Sequence, residues 1–221
     1  MMILESFETI RNIKENTVSY NGIHLENSIS IDKIFSIHYF EYMNTFSFEG
    51  ESHDFWEFIC VDKGEVGVTA GSEHLILKKG DLLFHPPNEF HAVKATGEIA
   101  PNLMVVSFGC QDEPCSFQKR HFKIDKTEHN LLAEIIAEAR WCFDCRLDDP
   151  YLQNMPLKKP DKFGAQQMIR LHLEHLLIHL IRRYSRPSSS TEPASPEPLK
   201  STKEKNDMET LRQIIEYLEV H

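Results

Sequence analysis

Long apolar runs are missing from this chain. The nearest, LLIHLI at 176–181, falls far short of the roughly 18 apolar residues that a membrane-spanning helix needs. The first thirty residues scatter Glu5, Glu8, Arg11, Lys14 and Glu15 among short apolar pieces, so no secretory leader is expected. Cysteines are few and odd in number, five, which without a leader points to free thiols in a reducing cytoplasm. An excess of positive charge is missing too. Lysine and arginine total 24 against 34 acidic residues, a net charge of -10, and such a chain repels phosphate backbones. No glycine-rich phosphate loop, G-x-S-x-G elbow or pair of acid/base carboxylates occurs, so nothing points to nucleotide use or serine hydrolase chemistry.

What is present suits a globular protein. The 221 residues are enough for one medium domain or two small ones, and the 41% hydrophobic content can fill a core. From about Ile29 to Cys110 the chain reads as short strands: SIHYFEY, FWEFICV, VGVTA, HLIL, LLFH, HAVK and LMVVSF. Turn signals separate them, among them DKG (62–64), KKGD (78–81) and PPNE (86–89). Strands this short and regularly spaced predict an antiparallel barrel or sandwich.

After Pro114 the pattern turns helical. In 127–147, Leu131, Leu132, Ile135, Ile136 and Ala139 recur at helical spacing behind Thr127 as a candidate cap. A loop with Pro150, Pro156 and Pro160 follows. Then a helix from about Phe163 to Arg183 carries one wide stripe that includes Leu173, Leu176, Leu177, Leu180 and Ile181. That stripe either packs on the chain's own helix and barrel or pairs two subunits, and the homodimer is the favoured expectation. Residues 186–206 hold four prolines and five serines with only Ala194 and Leu199 as apolar side chains, which predicts a disordered linker. Leu211, Ile214, Ile215 and Leu218 then mark one terminal amphipathic helix. The expected division is a barrel over 1–115, a two-helix accessory unit over 116–185, the linker, and 207–221 as the start of a further domain.

Chemistry gathers around His91. His53 and Glu57 stand four residues apart, so on an extended strand both side chains share one face. Gly64 follows Glu57, and Gly80, Pro86 and His91 follow in turn. This spacing resembles the two motifs of the cupin barrel, in which a His, a Glu and a second-motif His line the interior and often bind one metal. Here the family's first histidine falls at Glu51, and Asn88 replaces a turn glycine while tolerating positive φ. Three readings stay open for His53, Glu57 and His91: ligands of iron, manganese or zinc, a polar wall touching a small ligand, or plain satisfied core. The ligand wall is preferred, with no cofactor expected.

Other signals weigh less. Cys142 and Cys145 form a CxxC, and with Cys110 and Cys115 they could hold zinc or sense redox state, but half-buried thiols are the simpler reading. His172, His175 and His179 share one helix face, more simply a solvated or interface stripe than a ligand set. Trp56 and Trp141 read as core.

The run HDFWEFICVDKGEVGVTAGSEHLILKKGDLLFHPPNEFH is similar to the sensing domain of AraC-type bacterial transcription regulators. FGAQQMIRLHLEHLLIHLIRR resembles the helix that follows it in many of them, and IIEYLEVH resembles the opening helix of their DNA-binding half. The resemblance runs from about residue 30 to the end and lies in the order of the parts. It implies a cytoplasmic, non-enzymatic cupin-like barrel that binds a small effector (a sugar is one class), with helices that pair two subunits. It also implies two helix-turn-helix units, which would lie beyond His221, so this chain is not expected to bind DNA directly. The rival expectation is a small metal-dependent cupin enzyme, an isomerase or dioxygenase, using His53, Glu57 and His91.

Overall fold

The computed structural model describes residues 20–184, apart from 43, 98, 111–120 and 161. Among them run the strands β1 (Ile31–Glu41), β2 (Ser47–Glu51), β3 (Trp56–Lys63), β4 (Glu65–Ala70), β5 (Glu73–Lys78), β6 (Asp81–His85), β7 (His91–Ala95), β8 (Asn102–Cys110) and β9 (His121–Lys123). They form a five-stranded sheet, β1-β8-β3-β6-β9, and a four-stranded sheet, β2-β7-β4-β5. Every pairing is antiparallel. This is the antiparallel sandwich that the strand spacing predicts, in the cupin-like form that the motif resemblance implies. β2 and β9 were not among the expected strands. SFEGE has Phe48 as its one large apolar residue, and HFK is three residues long, so neither carries a period-2 apolar signal. β9 lies past residue 115, where the barrel was expected to stop, and pairs with β6.

Register places the site. Across the five-stranded sheet, Ser107, Glu57 and His85 lie side by side in one row. Two residues along, Val105, Ile59 and Leu83 make the next row on the same face, and Leu103 sits beside Val61 beyond it. The apolar rows join Phe40, Val66, Val68, Ala70 and Leu77 in one buried cluster. The opposite face of the same sheet is also buried, with Phe58 ringed by Phe84 and Phe108.

Two helices follow, α1 (Lys126–Cys142) and α2 (Ala165–Tyr184). The cap of α1 is Asp125 rather than Thr127. Its carboxylate accepts the Glu128 N–H at 3.0 Å, and the Glu128 carboxylate accepts the Asp125 N–H at 2.7 Å, a reciprocal capping box. α1 ends at Cys142, short of Leu147. There the returning loop takes over its last groups, with Lys158 N–H donating to the Cys142 carbonyl and Asp144 N–H to that of Pro156. α2 is tied to the start of β1 by Glu174, which accepts the Ile31 N–H at 3.0 Å, and to α1 through His179 and Glu128, 3.0 Å apart.

The leucine stripe of α2 corrects an expectation. Leu173, Leu176, Leu177 and Leu180 are each 0% exposed within the single chain, so they have no surface to offer a second subunit. Ile181 remains half-buried. The stripe belongs to the chain's own core, where each leucine contributes about 1.5–3 kcal/mol. Trp141, read as core, is 60% exposed, with the Lys162 ammonium 5.4 Å above its ring. The elements through Ile181 form one compact unit. Arg182–Tyr184 fall in a second, where the Arg183 guanidinium lies over the Tyr184 ring. The expected linker at 186–206 and helix at 207–221 lie outside the described residues.

Candidate functional site

The Pro-Pro turn positions both histidines. Glu89 N–H donates to the Pro86 carbonyl at 3.2 Å, and Asn88 takes φ 66°, the left-handed conformation that a type II turn demands after a proline. Asn88 N–H in turn donates to the His53 carbonyl at 2.6 Å, which clamps the segment carrying His53 against the segment leading to His91.

His53 does not lie on a strand. It sits in the bend before β3, which changes the expected geometry. Four extended residues would separate His53 from Glu57 by about 13 Å. The bend instead brings His53 Nε2 to 3.5 Å from Glu57 Oε2. His91, at the start of β7 in the opposite sheet, puts its Nε2 3.3 Å from Glu57 Oε1. Glu51, paired with His91 across β2 and β7, reaches 3.9 Å from the same nitrogen. The three residues singled out from the sequence therefore converge, and Glu51 joins them.

Hydrogen bonds settle the tautomers. His53 Nδ1 lies 3.0 Å from the Phe55 carbonyl and His91 Nδ1 3.0 Å from that of Glu89. A carbonyl only accepts, so each ring donates from Nδ1 and turns Nε2 toward the Glu57 carboxylate. Both Nε2 atoms are buried, 3.5 and 3.3 Å from the Glu57 carboxylate. The Glu57 carboxylate, by contrast, accepts a 2.6 Å bond from the Ser107 hydroxyl.

Burial would push the Glu57 carboxyl up, but the adjoining His53 and His91 imidazoles and the Ser107 hydroxyl outweigh it and hold the group well below the usual carboxylate range. His91 moves the other way: burial lowers its pKa, yet the neighbouring Glu57 raises it above the ordinary value. His85 stacks on His91, with centroids 4.4 Å apart, and bonds Glu89 through Nδ1 at 3.1 Å. Burial and then the positive charge of His91 lower its pKa.

These groups line one end of a cavity of about 400 Å³. That volume lies within the range of small-molecule sites. Phe35, Phe40, Tyr42, Phe46, Phe48 and Phe55 supply aromatic wall, and Pro150 to Gln153, from the loop between the helices, reach over it. Sequence reasoning missed His85, which alternation along β6 could have placed beside Glu57. It also missed the loop at 150–153, for which no local signal exists.

The remaining candidates come together less. His175 and His179 make an edge contact at 6.4 Å, and His179 pairs with the buried Glu128 near Asp125. Cys142 is buried, Cys110 and Cys145 are half-buried, and Cys115 lies outside the described residues. Among the described residues no cluster of metal-ligating atoms includes a cysteine. Burial and Asp144 raise the Cys145 thiol, the direction opposite to a reactive thiolate.

A sandwich with a partly open cavity in its interior has the form of a ligand-binding β-domain. Residues 35–158, more than half of the chain, match the family model of the AraC-like ligand binding domain, and the chain belongs to that family. No curated protein matches it. Among solved structures it is similar to the apo form of ToxT from Vibrio cholerae, at 8% identity over 72% of this chain and 59% of that one, with a TM-score of 0.43. It is similar also to the Cnp3 cupin domain of Schizosaccharomyces pombe, at 15% identity over 42% and 69%, with a TM-score of 0.31. The DMSP lyase DddQ of Ruegeria pomeroyi is similar at 22% identity over 35% of this chain and 38% of that chain, with a TM-score of 0.29.

Proposed function

We propose that this chain is the effector-sensing part of an AraC-type transcriptional regulator, with a small molecule bound inside the sandwich. His53, Glu57 and His91 contact that molecule, and its binding shifts the arrangement of barrel and helices toward one state of the attached DNA-binding units. The observation that supports this most is the cavity itself: a space of about 400 Å³ whose aromatic walls end in an ionised carboxylate flanked by two buried imidazoles. Aromatic wall supplies affinity, and a few convergent polar atoms supply orientation. The reading carries a cytoplasmic homodimer with it. Because the leucine stripe of α2 is interior, pairing would fall to the outer side of that helix, where Met168 and Leu171 are 37% and 47% exposed. Sedimentation of the chain with and without Leu171→Glu tests that surface, and an unchanged mass would remove it.

A thermal-shift screen of sugars and other small polar molecules tests the main reading. One class should raise the melting temperature, since ligand at 100 times its Kd adds about 2.7 kcal/mol. Glu57→Gln should weaken the binding of that ligand by about tenfold or more, roughly 1.4 kcal/mol. Equal affinity in the variant would remove Glu57 from the site. An isomerase or dioxygenase using His53, Glu57 and His91 is the competing reading, favoured by the same convergence of imidazoles and carboxylate. Catalytic turnover of a small molecule that depends on His91 would establish it instead.

A further inference from the structure

We propose that the cavity selects a small organic cation, an aromatic or apolar body that carries one protonated amine. The proposal rests on the effector reading and names the chemical class that the same site would take. It begins with the charges of the lining. Two carboxylates, Glu51 and Glu57, line the cavity, and among the described residues around it there is no lysine or arginine. A carboxylate or phosphate ligand would be desolvated there beside like charge, with no permanent cation to receive it.

The imidazoles do not reverse that sign. Burial holds His38 and His85 below the ordinary histidine pKa, so both stay neutral at physiological pH. His91 is raised above it, and its charge offsets a single carboxylate, the neighbouring Glu57 at 3.3 Å. His53 faces the same carboxylate; were it protonated as well, the two signs would balance and still leave no positive excess. Glu51 comes only within 3.9 Å of His91 Nε2, and its side chain is 53% exposed, so it stands at the mouth as the charge left over.

The walls suit the body of such a ligand. His38 and Phe40 on β1, then Tyr42 and Phe46, form one ring stack with successive centroids 4.8, 4.6 and 3.5 Å apart. Phe55 stacks between Phe35 and His53 at 3.9 and 3.8 Å. Rings that hold one another in place lose little freedom when a ligand arrives. Aromatic faces carry the negative side of the π quadrupole, so such walls attract an ammonium group and pack on an aromatic one. The serine hydroxyls are already engaged, since Ser36 and Ser107 bond each other at 2.8 Å and Ser107 also bonds Glu57. Negative charge and aromatic surface are therefore the main things the cavity offers.

The test uses the full chain and three probes of nearly one shape, phenethylamine, phenethyl alcohol and hydrocinnamate, titrated by calorimetry at neutral pH. The amine should bind about tenfold or more tightly than the alcohol, and the carboxylate more weakly than both. Glu57→Gln should cut the affinity for the amine by about tenfold and leave that for the alcohol within about threefold. Glu51→Gln, at an exposed position where folding is little at stake, should lower the amine-to-alcohol ratio by about threefold. Circular dichroism verifies that each variant is folded, and Glu51→Gln alone decides if Glu57→Gln does not fold. The proposal is overturned if the amine binds no better than the alcohol, or if the carboxylate binds as tightly as the amine. It is overturned too if the amine gives no heat and no melting shift at about 5 mM, or if the ratio is unchanged in the folded variants. A sugar or an acid that raises the melting temperature when the amine does not would end the cation preference and keep the effector reading. Amine binding followed by turnover that depends on His91 would keep the cation preference and end the effector reading.

Discussion

The two ends of the sandwich interior are built by the same strands and do opposite things. Moving along β3, the inward side chains are Val61, Ile59 and then Glu57; along β8 they are Leu103, Val105 and then Ser107; along β6, Leu83 and then His85. At one end aliphatic side chains close the interior, with Val61 and Val66 at 0% exposure, while Ile59, Leu103 and Val105 form the apolar floor of the cavity. At the other end the next row is polar, the facing strand contributes His91, and a cavity opens. A single step of two residues in register separates scaffold from site. The filled end can hold the sheets in place while the open end carries unsatisfied polar groups that would otherwise destabilise a core.

This division makes a large difference in what a substitution does. Ile59→Ala, in the apolar row that floors the cavity, deletes buried carbon and should destabilise the protein by about 2–5 kcal/mol in urea unfolding. Glu57→Gln, one row away, keeps an oxygen for the Ser107 hydroxyl to bond and should change stability by about 1 kcal/mol while harming ligand binding. If Glu57→Gln proves the more destabilising of the two, the polar end is structural and the contrast fails.

How much of this could be read from sequence depends on the kind of signal. Short apolar and aromatic runs between turn signals exposed the sheets, because β3, β6 and β8 bury both faces and so read as nearly continuous apolar segments. The wide stripe of α2 was visible too, but sequence shows only that a face is apolar, not what covers it; the chain itself covers Leu173 through Leu180. The cap of α1 was legible and overlooked: Asp125 followed by Glu128 is a capping-box spacing as good as any with Thr127. His53 and Glu57 were correctly grouped on a false ground, since a bend and not a strand face brings them together. Glu51 looked like a lost histidine because a one-dimensional motif cannot say that a carboxylate reaches the same point. The loop at 150–153 meets cavity residues that run from Phe35 to Ser107, and nothing local encodes that.

Acid should separate the two ends more gently. His38 in β1 lines the cavity and is 7% exposed, with Nδ1 3.3 Å from the Leu147 carbonyl. Burial lowers its pKa, and that outweighs the opposing pull of the Leu147 carbonyl and of Glu57 and Asp149. The folded state therefore keeps it neutral while the unfolded chain protonates near pH 6.5. Its contribution to stability is whole above that pH and is lost as pH falls toward the lower folded value. The urea midpoint should fall between pH 7.5 and 5.5, and His38→Gln should flatten part of that fall. Parallel pH profiles for wild type and variant would show that His38 is not the group responsible.

The smallest effect belongs to the tether between the filled end and the helical layer. Asp62, near the end of β3, accepts a 2.9 Å bond from the Tyr39 hydroxyl and pairs with His129 of α1 at 3.0 Å. Burial would raise the Asp62 carboxyl, but His129 and Tyr39 together outweigh it and hold it below its ordinary value. The pair consequently stabilises above about pH 3.9, where the unfolded carboxyl is already ionised, and loses that effect as pH falls through the lower folded pKa. His129 is 45% exposed on its side chain, so solvent screens most of the attraction. His129→Ala should lower stability by only about 0.2–1 kcal/mol at neutral pH, less at high salt, and leave effector affinity unchanged. A loss of effector affinity in this variant, with stability nearly intact, would mean that the helices communicate with the cavity through the filled end, and the two ends would have to be treated as one coupled unit.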